Sequence, residues 1–168
     1  FAGGYVAALG LVAALLDANT TGVGRDVDVS LLDTAVSMLT YFGSWQLNSD
    51  WQPSRTPSSS HQTLVPAQNF ETRDGWINVF CAKEHFWRRF AELIELPELI
   101  SDEKFANFAL RYENRKILIP ILSERLLKKN NAEWLDRFRG IVPSGPVNSI
   151  EQAFEDEQIK ARGLIVEV

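Results

Sequence analysis

Few side chains in this 168-residue sequence have obvious chemical reach: two histidines, one cysteine and a run of serines. His61 follows Ser58-Ser59-Ser60 in a Pro- and Ser-rich stretch, where a loop backbone could present the imidazole to a ligand. A lone imidazole there reads equally well as a loop residue without chemical duty. His85 opens an amphipathic pattern, Ala82-Lys-Glu-His-Phe-Trp, and reads as an exposed first-turn residue. Serines beside a histidine suggest a hydrolase, but no Gly-x-Ser-x-Gly elbow and no acid partner accompany them, so a catalytic triad is not supported. Gly22-Val-Gly24 is too short for a dinucleotide fingerprint and follows a helix where that motif must follow a strand; it reads as a turn. No metal site is expected, because the HExxH and EF-hand patterns are missing and one cysteine cannot build a multi-thiolate zinc site. Cys81 closes an apolar run and reads as an inert core thiol. Trp76, Phe80, Phe86, Trp87 and Phe90 read as core rather than as a stacking platform.

The elements that must position these residues fall into three stretches. The first begins with an apolar, Ala- and Gly-rich helix from Phe1 that gives way to turn formers at Asp17-Ala-Asn-Thr-Thr-Gly-Val-Gly, with Gly22 and Gly24 as positive-φ candidates. No capping side chain precedes this helix, and its start is expected to be an interior point of a longer protein. Arg25–Val29 alternates polar and apolar and predicts a short strand. Ser30 then caps a helix through Leu31, Leu32, Ala35, Met38, Leu39 and Phe42, with Asp33 at the capping-box position.

Residues 48–62 hold Pro53, Pro57 and the serines at 54 and 58–60, and predict a linker or functional loop. Ala67–Thr72 and Trp76–Cys81 flank Arg73-Asp74-Gly75, a strong hairpin signal. Helical spacing follows at Phe86, Trp87, Phe90 and Leu93. Asp102 caps a short helix, and Asn107 caps a longer one to Leu127 that Pro120 should kink or break. Another short helix spans 133–138. Val142–Val147 is extended, Ile150–Phe154 makes a helical turn, and 164–168 is expected to be a final strand.

Composition limits the partners. The hydrophobic fraction of 45% and charged fraction of 23% are those of a globular domain, and a net charge of −5 disfavours nucleic acid or an anionic membrane as partner. The Phe1–Leu16 stretch falls short of the ~20 residues of a membrane span, suits a helix packed closely inside a protein, and lacks the basic start of a signal peptide. A single cysteine fits a reducing, cytoplasmic location.

Several motifs recur in one order. Tyr5-Val-Ala-Ala-Leu-Gly-Leu-Val-Ala-Ala-Leu-Leu is followed by Thr21-Gly-Val-Gly-Arg-Asp-Val-Asp-Val-Ser-Leu-Leu-Asp33. After them come His61 through Pro66 to Phe70-Glu-Thr-Arg-Asp-Gly-Trp-Ile, then Arg111-Tyr-Glu-Asn-Arg115, Val142-Pro-Ser-Gly-Pro-Val147 and Ala161-Arg-Gly163. Together the sequence resembles the family III CoA-transferases of the CaiB/BaiF type, formyl-CoA transferase-like, over nearly its whole length.

The resemblance implies an α/β plus α+β fold: part of a Rossmann-like large domain, then a small domain with a β-hairpin and several helices. Residues 1–47 would be a piece of the large domain, 48–145 the small domain with its linker, and 146–168 a segment returning to the large domain. An interlocked homodimer is implied. So is CoA transfer from an acyl-CoA to a carboxylic acid, with coenzyme A as part of the substrate and no permanently bound cofactor. The family's aspartyl nucleophile would lie just upstream of Phe1; Asp17, Asp26, Asp28 and Asp33 do not match it, so no catalytic residue is assigned within the chain, which alone is expected to be inactive. Ser59, Ser60, His61 and Gln62 stand where formyl-CoA transferase-like members carry a glycine-rich loop over the thioester, and are the candidate substrate-binding residues. Serines and a histidine in place of glycines depart from that pattern. An α-methylacyl-CoA racemase-like enzyme is a rival reading, disfavoured because Gln62-Thr-Leu-Val-Pro-Ala lacks the racemase-type Gly-Gly-Ala-Pro run. A non-catalytic interaction module is the other.

Overall fold

The computed structural model describes residues 1–166, which form parts of two compact units, Phe1–Ser54 and the chain from Arg55 onward. In the first, the apolar run becomes helix α1, Ala2–Thr21, with no side-chain cap at Phe1. It runs past the expected stop at Asp17 because Thr20 and Thr21 return their hydroxyls to the carbonyls of Leu16 and Asp17, so polar side chains add to the backbone ladder. Gly22 ends it at φ 74°, a left-handed conformation that costs glycine little, with its N–H on the Ala18 carbonyl at 2.8 Å.

One expectation about this helix, its length, is corrected. At 20 residues it is long and apolar enough, by length and composition, to cross a membrane. None of its residues is buried, and Leu9, Val12, Leu15 and Leu16 lie exposed rather than packed inside this unit.

Residues 23–30 carry no regular structure, so the strand expected at 25–29 does not form; this unit holds no second strand among the described residues with which to pair. Arg25 instead reaches back to the Asp17 carboxylate at 2.5 Å, and Gly24 is outside the left-handed region. Ser30 does cap the next helix, accepting from Asp33 N at 3.1 Å. The single helix expected there is two, α2 (Leu31–Ser37) and α3 (Thr40–Asn48). The break follows from a tight Leu39 N–H to Val36 carbonyl turn and a left-handed Thr40 at φ 51°.

The second unit contains a meander in which β1 (Ala67–Glu71) pairs antiparallel with β2 (Trp76–Phe80), and β2 with β3 (Ser144–Pro146). Alternation sends Ile77 and Val79 into the core and leaves Trp76 and Phe80 partly exposed, at 42% and 39%, so two of the five aromatics expected in the core lie outside it. The Asp-Gly turn is fastened to the start of α8 (Asn131–Phe138): Asp74 accepts from Asn131 N at 2.8 Å, and Thr72 donates to the Asn131 side chain at 2.6 Å. A Cβ on Gly75 would meet that side chain at 3.0 Å, which explains the glycine.

Around the sheet pack α4 (Glu84–Leu93), α5 (Glu98–Ser101), α6 (Phe108–Glu113), α7 (Arg115–Leu126) and α8, burying Trp87, Phe90, Phe105, Leu118, Leu122 and Trp134 with Ile77 and Val79. Asp102 and Asn107 cap as expected, accepting from Lys104 N and Leu110 N. The expected break at Pro120 is misplaced. α7 runs through Pro120, while the chain breaks at Asn114, whose side chain donates to the carbonyls of Leu110 and Lys104. Losing one ladder bond at Pro120 is offset by the buried stripe Leu118, Leu122 and Leu126. Asn130 and Glu133 form a reciprocal capping box at the head of α8. Two short helices, α9 (Ile150–Phe154) and α10 (Glu157–Ala161), follow; the first was expected, the second not. Residues 164–166 are not strand, and the rest of the strand expected at 164–168 lies outside the described residues.

One charged side chain sits at the centre of this unit. Arg111 has no exposed surface. Its Nε donates to the Val65 carbonyl at 2.9 Å, Nη1 to the Phe105 carbonyl at 3.0 Å and Nη2 to the Glu84 carboxylate at 3.0 Å. The rings of Trp87 and Phe108 lie 5.1 and 4.7 Å from its guanidinium carbon. Arg111→Met should lower the unfolding free energy of this unit by about 3 kcal/mol or more, since it strands two carbonyls and a carboxylate. A urea midpoint by circular dichroism unchanged from wild type would contradict this role.

Candidate functional site

The stretch before the hairpin is the only one singled out by sequence for substrate contact, and its geometry follows from a few local bonds. Pro57–Ser59 forms one 3-10 turn, closed by Ser60 N on the Pro57 carbonyl at 3.0 Å, and Thr56 donates its hydroxyl to the Ser60 carbonyl at 2.7 Å. Ser58 and Ser59 both sit in the left-handed region, at φ 53° and 52°. Each costs roughly 1 kcal/mol or more relative to glycine, so the serines keep a backbone shape that glycine would adopt freely.

After the turn, His61 N donates to the Ala67 carbonyl at 2.8 Å, anchoring the loop to the first strand. The side chain folds over its own backbone, with Nδ1 accepting from Thr63 N and Leu64 N, both at 3.1 Å. The ring stands edge-on to Phe80 with centroids 6.2 Å apart. Partial burial holds the imidazole below the ordinary histidine range. The far end of the loop is fixed by Arg111 on the Val65 carbonyl and by Cys81 N on the Pro66 carbonyl at 2.9 Å, across a cis Val65–Pro66 bond.

Among the expected substrate-binding residues, Ser60, His61 and Gln62 are half-buried on this loop and Ser59 is exposed at its turn. His85 is exposed on the first turn of α4, its ring 4.1 Å from Phe86, as read from sequence. Cys81 is fully buried and its thiol is pushed up to about 12 by burial, opposed by the Arg111 charge. That makes it a poor nucleophile. No three His, Cys, Asp or Glu side chains gather as metal ligands among the described residues.

Two clefts of comparable size open elsewhere. One of about 500 Å³ runs beside β3, between Phe86, Arg139, Ile141 and Pro143; the other, about 530 Å³, lies in the first unit among Val36, Leu39, Phe42, Leu47 and Trp51. Residues 59–62 line neither. Sequence reasoning missed the part Arg111 plays under the loop. Its signal was present as the Arg111-Tyr-Glu-Asn-Arg115 motif, but spacing alone does not reveal that the guanidinium is buried.

A family profile described as CoA-transferase family III matches residues 1–168. Human succinyl-CoA:glutarate CoA-transferase is 34% identical over 159 residues, covering 94% of this chain and 36% of its own length. Succinate–glutarate CoA-transferase of Agrobacterium fabrum is 31% identical over 157 residues, covering 93% and 39%. The crystal structure of a CaiB/BaiF family protein from Brucella suis superposes with a TM-score of 0.82 at 28% identity, covering 99% of this chain and 44% of that one. The chain thus spans less than half the length of these relatives.

The site generates two measurements. Cys81 should resist Ellman's reagent at pH 8 in the folded chain and react on unfolding; rapid labelling without denaturant would contradict its burial. His61 should titrate, by NMR, below the ordinary histidine value of about 6.5. Because its folded pKa is depressed, its contribution to stability is fully present above the unfolded pKa and is lost as pH falls through the folded one. A midpoint above 6.5 would reverse that sign.

Proposed function

The chain belongs to CoA-transferase family III, and on that premise we propose that the protein carrying it moves CoA from an acyl-CoA donor to a carboxylic acid acceptor. The observation that supports this most is the match of the family profile along residues 1–168. Dicarboxylates are the proposed acyl groups, because relatives similar over more than nine-tenths of this chain are named for succinyl-CoA or succinate and glutarate.

The proposed route is covalent. A carboxylate, taken to be an aspartate outside this chain, attacks the thioester carbonyl; the C–S bond breaks and CoA leaves as thiolate, giving a mixed anhydride. The thiolate attacks the aspartyl carbonyl and expels the donor acid as a carboxylate, leaving an enzyme–CoA thioester. The acceptor carboxylate attacks that thioester and releases CoA thiolate, which then takes the acceptor acyl group from the second anhydride and frees the aspartate. CoA is thus substrate rather than resident cofactor. Residues 59–62 are proposed to contact the reacting thioester. Residues 1–47 and 146–168 are assigned to a Rossmann-like large domain and 48–145 to the small one, in a cytoplasmic interlocked homodimer.

The test uses the protein encoded by the gene that contains this chain. Incubated with succinyl-CoA and glutarate, it should form glutaryl-CoA, and intact mass should show a CoA adduct before acceptor is added. The 168-residue chain alone should give no turnover. Failure of the complete protein to transfer CoA to any of a panel of mono- and dicarboxylates would sink the proposal.

A further inference from the structure

We propose that the cleft beside β3 binds an N-acylated amino acid, whose amide N–H and carboxylate pair with the two main-chain groups of Ser144 while the carboxylate also meets Arg139. β3 is the outer strand of the sheet. Two bonds fix which way its groups point. Phe80 N donates to the Pro143 carbonyl and Val147 N to the Trp76 carbonyl, both at 2.9 Å. With Ser144 opposite Val79 and Pro146 opposite Ile77, those bonds make each of the two a non-hydrogen-bonded pair. Gly145 therefore turns its N–H and carbonyl toward Asn78 of β2, and Ser144 turns both of its groups outward. Neither has a partner among the described residues, although Ser144 is partly buried. Its hydroxyl is turned back onto the Val142 carbonyl at 3.2 Å, so the main chain is what the strand edge presents.

The arrangement of these two groups selects the ligand. In an extended residue the N–H and the carbonyl on one edge belong to two different peptide units. One planar amide cannot reach both, because its own N–H and carbonyl point in opposite directions. A unit with an N–H on one side of a tetrahedral carbon and a carbonyl oxygen on the other can, which is how neighbouring strands pair. An N-acylated amino acid has that unit and ends it in a carboxylate. A longer strand gains little more, since Pro146 has no N–H and β3 ends there.

The cleft supplies the rest. Its lining comes from β3, the approach to it, α8 and Phe86 of α4, and from neither β1 nor β2, so it lies on the free side of the strand. At about 500 Å³ it is the size of a small-molecule site. Phe86, Leu135, Ile141 and Pro143 give an apolar wall for an acyl or side chain. Arg139 gives the charge. Its one ion pair among the described residues, to Asp136 at 3.7 Å, leaves the two side chains 80% and 82% exposed, and such a pair holds the guanidinium weakly. A carboxylate that accepts from both Arg139 and Ser144 N–H makes charge-assisted bonds, stronger than those of a neutral acceptor.

The test is a titration of the complete protein carrying ¹³C-methyl isoleucine, with the Ile141 signal identified by Ile141→Val. N-acetyl-leucine should move that signal saturably. Its methyl ester, which lacks the acid, and 4-methylpentanoate, which lacks the amide, should each bind about tenfold more weakly, and Arg139→Gln should weaken N-acetyl-leucine to the same degree. Ser144→Ala should bind as the wild type does, because the contact is made by the main chain. Equal affinity for the ester, or in Arg139→Gln, overturns the carboxylate contact; equal affinity for 4-methylpentanoate overturns the strand pairing. Loss of binding in Ser144→Ala moves the contact to the hydroxyl and defeats the main-chain assignment. A peptide ending in leucine that binds more tightly than N-acetyl-leucine gives the cleft to a chain terminus instead, and no saturable shift at Ile141 defeats the site outright. The signal is read without turnover, so these outcomes hold whether or not the protein transfers CoA.

Discussion

The second unit is organised around a buried cation. Arg111 has no contact with water, yet it is the point at which the end of the His61 loop, the turn before α6 and the head of α4 meet. Desolvating a guanidinium is costly unless its donors are matched, and here they meet two carbonyls and a carboxylate while two aromatic faces flank the planar group. Lysine could not do the same: its compact ammonium has no planar fork to span three directions. Glu84 contributes twice, since the same carboxylate accepts from Phe108 N at 3.1 Å and so tethers the start of α6 to α4. The carbonyl of Val65 has no β-ladder partner in the sheet because β1 begins only at Ala67; Arg111 provides it.

That arrangement divides what could be read from sequence from what could not. Signals carried by neighbours along the chain were legible. The Asp-Gly turn and its flanking runs gave the hairpin, Ser30, Asp102 and Asn107 acted as caps, and the extended 142–147 segment became the third strand through pairing with β2. Signals that depend on distant partners were not. Arg25–Val29 has strand-like alternation but no strand to pair with among the described residues of its unit, and alternation alone does not make a ladder. Pro120 and Asn114 show the same limit in a helix. Propensity singles out proline, but the buried leucine stripe carries the helix through it. An asparagine that bonds two carbonyls makes the actual break.

The His61 loop lies between these cases. Its position in a Pro- and Ser-rich stretch was visible, and so was its candidacy for contact with substrate. The departure from glycine also has a physical reading: Ser58 and Ser59 hold left-handed backbone angles at a cost, so the turn keeps a glycine-like path with a stiffer chain. What spacing could not show is that the imidazole would fold back onto Thr63 N and Leu64 N, because a side chain bonding two and three residues ahead in its own loop leaves no periodic trace.

A loop built this way trades mobility for definition. Glycines would leave backbone N–H groups free to turn toward a ligand, with an entropic cost each time they were ordered. In this chain the backbone donors at residues 60, 61, 63 and 64 are already bonded within the loop or to its first strand, and that ordering cost falls on folding instead of on each encounter with substrate. The imidazole is held by the bonds that order the loop. Arg111 completes the device from beneath: by fixing Val65 it keeps the loop's exit in register with β1, and with it the Ala67 carbonyl on which His61 N depends.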